Sequence, residues 1–266
     1  MNRKQRETVA QPVGLRLVEK AVEVLDLLGQ ERKLTIAQLS EKTGEPRSSL
    51  YRLLGSLEKL EFVESAGSRG TYRLGVHALR LGAAMMAGLD ERERALPVMN
   101  RIRDETGLTV YLLVRRGDHA VCVERIEGER VASLALQLGG SLPLHTGAAP
   151  RALLAFAPQE EWQRYVSAGP LVRLTPSTPS TRQRLFDVLS RERAEGVTTS
   201  DGDVTVGIAA LGAPVFDFRG EVIAALSVSG LRDDLLGKAK SHLQQLVRNG
   251  AAEISASLGY TPDRAG

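Results

Sequence analysis

Between Pro46 and Leu60 the leucines Leu50, Leu53, Leu54, Leu57 and Leu60 recur at i, i+3, i+4, i+7 and i+10, a period that only an α-helix gathers into one apolar stripe. Each residue advances about 100° around the helix axis, so the stripe also fixes what points away from it. Ser48, Arg52, Gly55 and Lys59 fall opposite the leucines, Ser49, Tyr51 and Ser56 flank that face, and Arg47 stands in the first turn. Pro46 suits the first helical position. Just upstream, Thr35 with Gln38 has the form of a capping box opening a short helix through Ile36, Ala37 and Leu39 that stops at Gly44. An earlier helix carries Leu15, Val18, Val22, Leu25 and Leu28 and is expected to stop at Gly29. Downstream, Phe62-Val63, the polar loop 64–70 and the alternating Thr71-Tyr72-Arg73-Leu74 read as a hairpin. Helix, short capped helix, tight turn, third helix and hairpin is the order of a winged helix-turn-helix.

The remainder is longer and mixed. A small-residue-rich helix is expected from Val76 to Gly88, then a polar helix from Asp90 to Thr106 and two strands, Thr109 to Val114 and Ala120 to Ile126, joined at Gly117-Asp118. A buried helix over Arg151 to Phe156, a surface helix over Pro158 to Val166 carrying the single Trp162, and a helix from Arg182 to Glu195 closed by Gly196 follow. Strands Ile208 to Phe216 and Val222 to Val228 turn at Gly220, and a last helix is expected from Asp233 to Leu258. Consecutive strands linked by hairpins point to a largely antiparallel sheet in an α+β fold. The chain thus divides into a mobile arm (1–14), a winged helix-turn-helix (15–75), a linker helix (76–89) and a sensing and oligomerisation domain (90–260).

Charge bears on the partner of the first domain. Residues 1–75 carry 13 Lys and Arg against 10 Asp and Glu and the rest is balanced at 22 of each, so the whole net charge of +3 lies N-terminal. That surplus and the polar face of the third helix suit double-stranded DNA. An arginine can fork onto guanine O6 and N7, serine and tyrosine hydroxyls reach bases or phosphate, and Gly55 lets the backbone approach a duplex closely. Arg69 and Arg73 in the hairpin are placed to reach phosphate or the minor groove as a wing. The expected reading set is Arg47, Ser48, Ser49, Tyr51, Arg52, Lys59, Arg69 and Arg73. The competing interpretation is that the winged domain pairs with a protein partner and the chain is a ligand-sensing module.

Segments 39–54, 57–63 and 72–75 resemble the helix-turn-helix and wing of the IclR-type transcriptional regulators, and 144–155, 195–196, 207–210 and 224–230 are similar to that family's effector-domain signatures. The resemblance implies a GAF/PAS-like α/β effector domain with a curved antiparallel sheet, a repressor role, a homodimer or homotetramer on an inverted-repeat operator, and a small organic effector, with carboxylates the implied class. By motif position, Ala148 and Ala149 match backbone contacts to small carboxylates and Ser227 and Ser229 match two ligand-binding serines. Ser200 matches an acidic contact and Ala210 a cysteine contact; losing both side chains implies a ligand other than a simple two-carbon acid. Pro150 stands where the family often has glycine and Asp203 where it often has glutamate. Independently of the family, two serines two apart on a strand face the same side, and backbone N–H groups at a helix start suit a carboxylate.

Catalysis is not expected. No G-x-S-x-G, H-E-x-x-H, P-loop or paired-cysteine motif occurs, and there are 4 histidines. Cys122, in an apolar run, reads as a core residue rather than a redox sensor, and His145 as a hydrogen-bonding residue beside the pocket rather than a metal ligand. No cofactor, metal or membrane contact is expected, and the polar N-terminus with a single cysteine suggests the cytoplasm.

Overall fold

The computed structural model describes residues 13–67, 70–87, 90–129 and 136–261. The chain separates into two compact units, Met1–Gly88 and Leu89–Gly266.

In the first unit, helix α1 (Val13–Glu31) runs on through Gly29 instead of stopping there. The turn is made by Arg32, at φ 63°, a left-handed conformation that costs a non-glycine residue about 1–2 kcal/mol. Strand β1 (Leu34–Thr35) leads into α2 (Ile36–Thr43), where the Thr35–Gln38 box closes both ways: Gln38 N–H donates to Thr35 Oγ1 at 3.3 Å and Thr35 N–H to Gln38 Oε1 at 2.8 Å. Gly44 ends α2 at φ 69°, and three residues later α3 (Arg47–Lys59) begins. Leu50, Leu54 and Leu57 are buried with Val24, Leu28 and Leu39. Leu60, expected in the same stripe, is 60% exposed because α3 has ended one residue earlier and Leu60 is its C-cap. The hairpin of β2 (Val63–Ser65) and β3 (Thr71–Leu74) takes β1 as a third strand on the far side of β3. Helix α4 (Val76–Ala87) follows, with Val76, Leu79 and Leu81 exposed.

The second unit begins with α5 (Asp90–Thr106), β4 (Thr109–Arg116) and β5 (His119–Ile126). The short edge strand β6 (Ser141–Pro143) follows; neither it nor the opposite edge strand, Thr198–Asp201, is signalled by the sequence. Helices α6 (Ala148–Ala155), α7 (Gln159–Ser167) and α8 (Arg182–Glu195) precede β7 (Thr198–Asp201), β8 (Ile208–Phe216) and β9 (Val222–Leu231). The expected single last helix is two, α9 (Arg232–Leu236) and α10 (Lys240–Ser257). They part at Gly237, where a Cβ would lie 2.5 Å from the Asp233 carbonyl oxygen. The sheet is antiparallel throughout, in the order β6-β5-β4-β9-β8-β7.

Period-two alternation divides each strand between two layers. Val110, Leu112, Leu226 and Val228 face α5 and α10. Tyr111, Leu113 and Ala225 face α6, α7 and α8. Helix α7, expected at the surface, lays Trp162 into this second layer at 3% exposure, its Nε1–H donating to the Leu154 carbonyl at 2.7 Å. Among the described residues no helix is long and apolar enough to cross a membrane.

Candidate functional site

On α3 the leucine stripe does what its period requires, and Arg47, Ser48, Tyr51, Arg52 and Lys59 are exposed while Ser49 is half-buried. Arg47, Arg52 and Lys59 form no ion pair with any described residue, so three cations stand free on one helix. A Cβ on Gly55 would meet nothing within 4 Å. A mid-helix glycine costs about 1 kcal/mol relative to alanine, and nothing inside the unit asks for it. The wing touches the same face: a Cβ on Gly70, at φ 77°, would sit 3.9 Å from the Tyr51 hydroxyl. Arg73 donates from Nε to Glu64 across the hairpin at 2.6 Å, so its charge is shared. Arg69 lies outside the described residues.

In the second unit the strand register brings together residues that the sequence singles out only by motif position. Ser229 of β9 pairs with Ala210 of β8, and Ala210 pairs with Ser200 of β7, which makes a transverse row of three. One step along the strands, Tyr111, Ser227, Gly212 and Thr198 make the next row. Helix α6 begins over this second row. A Cβ on Gly212 would lie 2.9 Å from the Ala148 carbonyl carbon and 3.0 Å from Ala149 N, and Thr198 Oγ1 donates to the Ala148 oxygen at 2.8 Å. Between helix and sheet lies a cavity of about 60 Å³ that Ala148, Ala149, Ser200, Ala210, Ser227 and Ser229 all line. This is several times the roughly 10–15 Å³ that one water needs. Tyr111, Leu113, Leu142, Val204 and Ile208 add an apolar wall, and no charged side chain among the described residues reaches the lining.

The polar groups of the cavity are unequal. Helix α6 starts at Gly147 (φ 76°) with no side-chain cap, and the backbone N–H groups of Ala148 and Ala149 have no acceptor among the described residues. Pro150, the third residue of the helix, has no N–H to offer. Ser227 is 4% exposed, and its hydroxyl has no partner among the described residues. The Ser229 hydroxyl donates to the Ala209 oxygen at 3.1 Å, and the Ser200 hydroxyl donates to the Asp203 carboxylate.

Behind this lining is an ion network that sequence reasoning missed. Arg151, 2% exposed, donates from Nε and Nη2 to Glu192 of α8 at 3.0 Å each, from Nη1 to Asp203, and from Nη2 to the Thr199 oxygen at 2.7 Å. Burial disfavours its charge, but Glu192 and Asp203 outweigh that and hold the guanidinium pKa above its ordinary value. Asp203 also accepts the Gly147 N–H at 3.3 Å. An arginine inside a short apolar helix was the available signal; its acidic partners, some 40 and 50 residues away, were not identifiable.

His145 and Cys122 are structural. The Val172 carbonyl, 2.8 Å from His145 Nε2, only accepts, so Nε2 carries the proton and Nδ1 accepts from the Tyr165 hydroxyl at 2.7 Å. Burial, the larger effect, holds the imidazole pKa below its ordinary value. The Cys122 thiol is pushed up to about 12, chiefly by burial, which leaves it inert at neutral pH. Among the described residues no group of histidine, cysteine and acidic side chains is arranged to hold a metal ion.

Known proteins resemble the chain over most of its length. The family description "IclR helix-turn-helix domain" matches residues 17–67, and "Bacterial transcriptional regulator IclR C-terminal" matches residues 83–256. The chain is 32% identical to the HTH-type transcriptional regulator KipR of Bacillus subtilis, over 92% of this chain and 97% of that protein. It is 30% identical to the transcriptional repressor AllR of Escherichia coli, over 96% and 94%. Among solved structures, IclR of Thermotoga maritima superposes with a TM-score of 0.78 at 26% identity, covering 92% of this chain and 100% of that one. An IclR homologue from Microbacterium hydrocarbonoxydans, complexed with 4-hydroxybenzoate, has the same fold, with a TM-score of 0.78 at 24% identity over 91% and 98%.

Proposed function

Because this chain belongs to the IclR family of bacterial transcriptional regulators, we propose that it is a repressor whose grip on an operator is set by a small organic carboxylate in the α6 cavity. The observation that carries this reading is the uncapped start of α6: two backbone N–H groups and a buried hydroxyl, none with a partner among the described residues, line one small cavity. A helix N-terminus with unsatisfied donors favours an anion, and the apolar wall suits an organic body. Repression is supported by the likeness to AllR, a repressor.

Operator reading falls to Arg47, Ser48, Ser49, Tyr51, Arg52 and Lys59 of α3, with Arg69 and Arg73 on the wing. Three unpaired cations on the exposed face supply phosphate or guanine contacts, and Gly55 allows the backbone to come close. One such helix covers only a few base pairs, so two copies on an inverted repeat double the reading. The exposed Val76, Leu79 and Leu81 of α4 support pairing of copies there. Effector and operator are linked by a coupling free energy of about 1–3 kcal/mol.

Fluorescence anisotropy with the protein's own upstream promoter DNA, at two salt concentrations and with a panel of small organic acids, tests the whole reading. Tight binding that weakens steeply with salt and is released by one acid is the expected result. Salt-insensitive or sequence-indifferent association would instead favour a protein partner for the winged domain.

A further inference from the structure

The two rows of the cavity floor differ in hydrogen-bond polarity. A hydroxyl has one proton and two lone pairs. In the Ser200–Ala210–Ser229 row both protons are committed inward, Ser200's to Asp203 and Ser229's to the Ala209 oxygen, so both serines turn lone pairs to the cavity. Asp203 accepts that proton at Oδ1, while its Oδ2 receives Arg151 and the Gly147 N–H. The other row lies under the start of α6. There the Ser227 hydroxyl and the Ala148 and Ala149 N–H groups are donors without acceptors among the described residues. Donor end and acceptor end are two residues apart along the strands, roughly 7 Å.

From this we infer that the effector is a carboxylate that also carries a hydrogen-bond donor, a hydroxyl or an N–H, about 7 Å from the carboxylate. The inference rests on the carboxylate reading proposed above and adds the second group. A carboxylate at the Ser200–Ser229 end would face lone pairs, with the Asp203 charge behind them. An alkyl or ether end would strip water from those lone pairs and give nothing back.

Isothermal titration of the full chain with matched acids tests it: δ-hydroxyvalerate against valerate, and 4-hydroxybenzoate against benzoate and its 4-methoxy ether. The hydroxyl compound of each set should bind about tenfold tighter or more, the worth of one hydrogen bond in a water-poor site. Ser200→Ala and Ser229→Ala should each shrink that ratio, while Ser227→Ala weakens all the acids together. Equal affinities within each set, with Ser227→Ala still weakening every acid, would overturn the inference and leave the carboxylate reading intact. If none of the acids binds, or Ser227→Ala changes nothing, the carboxylate reading falls and takes the inference with it. The wild-type comparison alone decides the matter should a serine variant fail to fold.

Discussion

Arg151 on α6 and Asp203 in the loop after β7 are bonded through Nη1, and both are almost wholly buried. Their contact ties the helix that opens the cavity to the segment that carries Ser200. With Glu192 as second partner, the one guanidinium serves two buried carboxylates.

Removing that cation leaves both acids without a counter-charge in the interior. Arg151→Leu is therefore expected to cost about 3–5 kcal/mol of stability. Urea denaturation followed by circular dichroism measures the loss; a change under 1 kcal/mol would deny the network a stabilising part.

Arg52 is one of three α3 cations without an ion pair among the described residues and lies opposite the leucine stripe. Arg52→Ala should weaken operator binding by roughly 1–3 kcal/mol and leave effector titrations unchanged. Unaltered operator affinity in anisotropy would remove Arg52 from the reading surface.

Gly55 separates stability from function. With open space around its missing Cβ, Gly55→Ala should stabilise the first unit by about 1 kcal/mol. The same methyl group should weaken operator binding if the helix backbone approaches DNA. Thermal melts and anisotropy on one preparation give both signs.

His145 imparts a pH dependence. Its folded pKa is lowered, by burial first, so as pH falls through about 6.5 the unfolded chain takes the proton before the folded one. Stability from this group is complete above that pH and is lost as pH drops toward the folded value. His145→Gln, a neutral replacement, should flatten the curve in that window, as read by urea midpoints between pH 5 and 7.5.

Cys122, with its thiol raised to about 12 by burial, should resist thiol reagents in the native protein and react fully in denaturant. Cys122→Ala should leave effector response unchanged. Rapid native labelling would contradict its place in the core.

The sequence by itself determined most of the local structure and the family. The α3 leucine period, the Thr35–Gln38 box and the alternation in β4, β8 and β9 are encoded within a few residues, because helix and strand periods are properties of the backbone. That Ser227 and Ser229 share a face follows from the same period. Tertiary structure decided which strand lies beside which, and so the row that joins Ser229 to Ala210 and Ser200. It also decided that Trp162 is buried, that Leu60 is not, and that Arg151 finds Glu192 and Asp203. Register and ion pairing join residues far apart in the chain and depend on the packing of whole layers, so no short window of sequence contains them. The bond from the Ser200 hydroxyl to Asp203 is set by that packing as well.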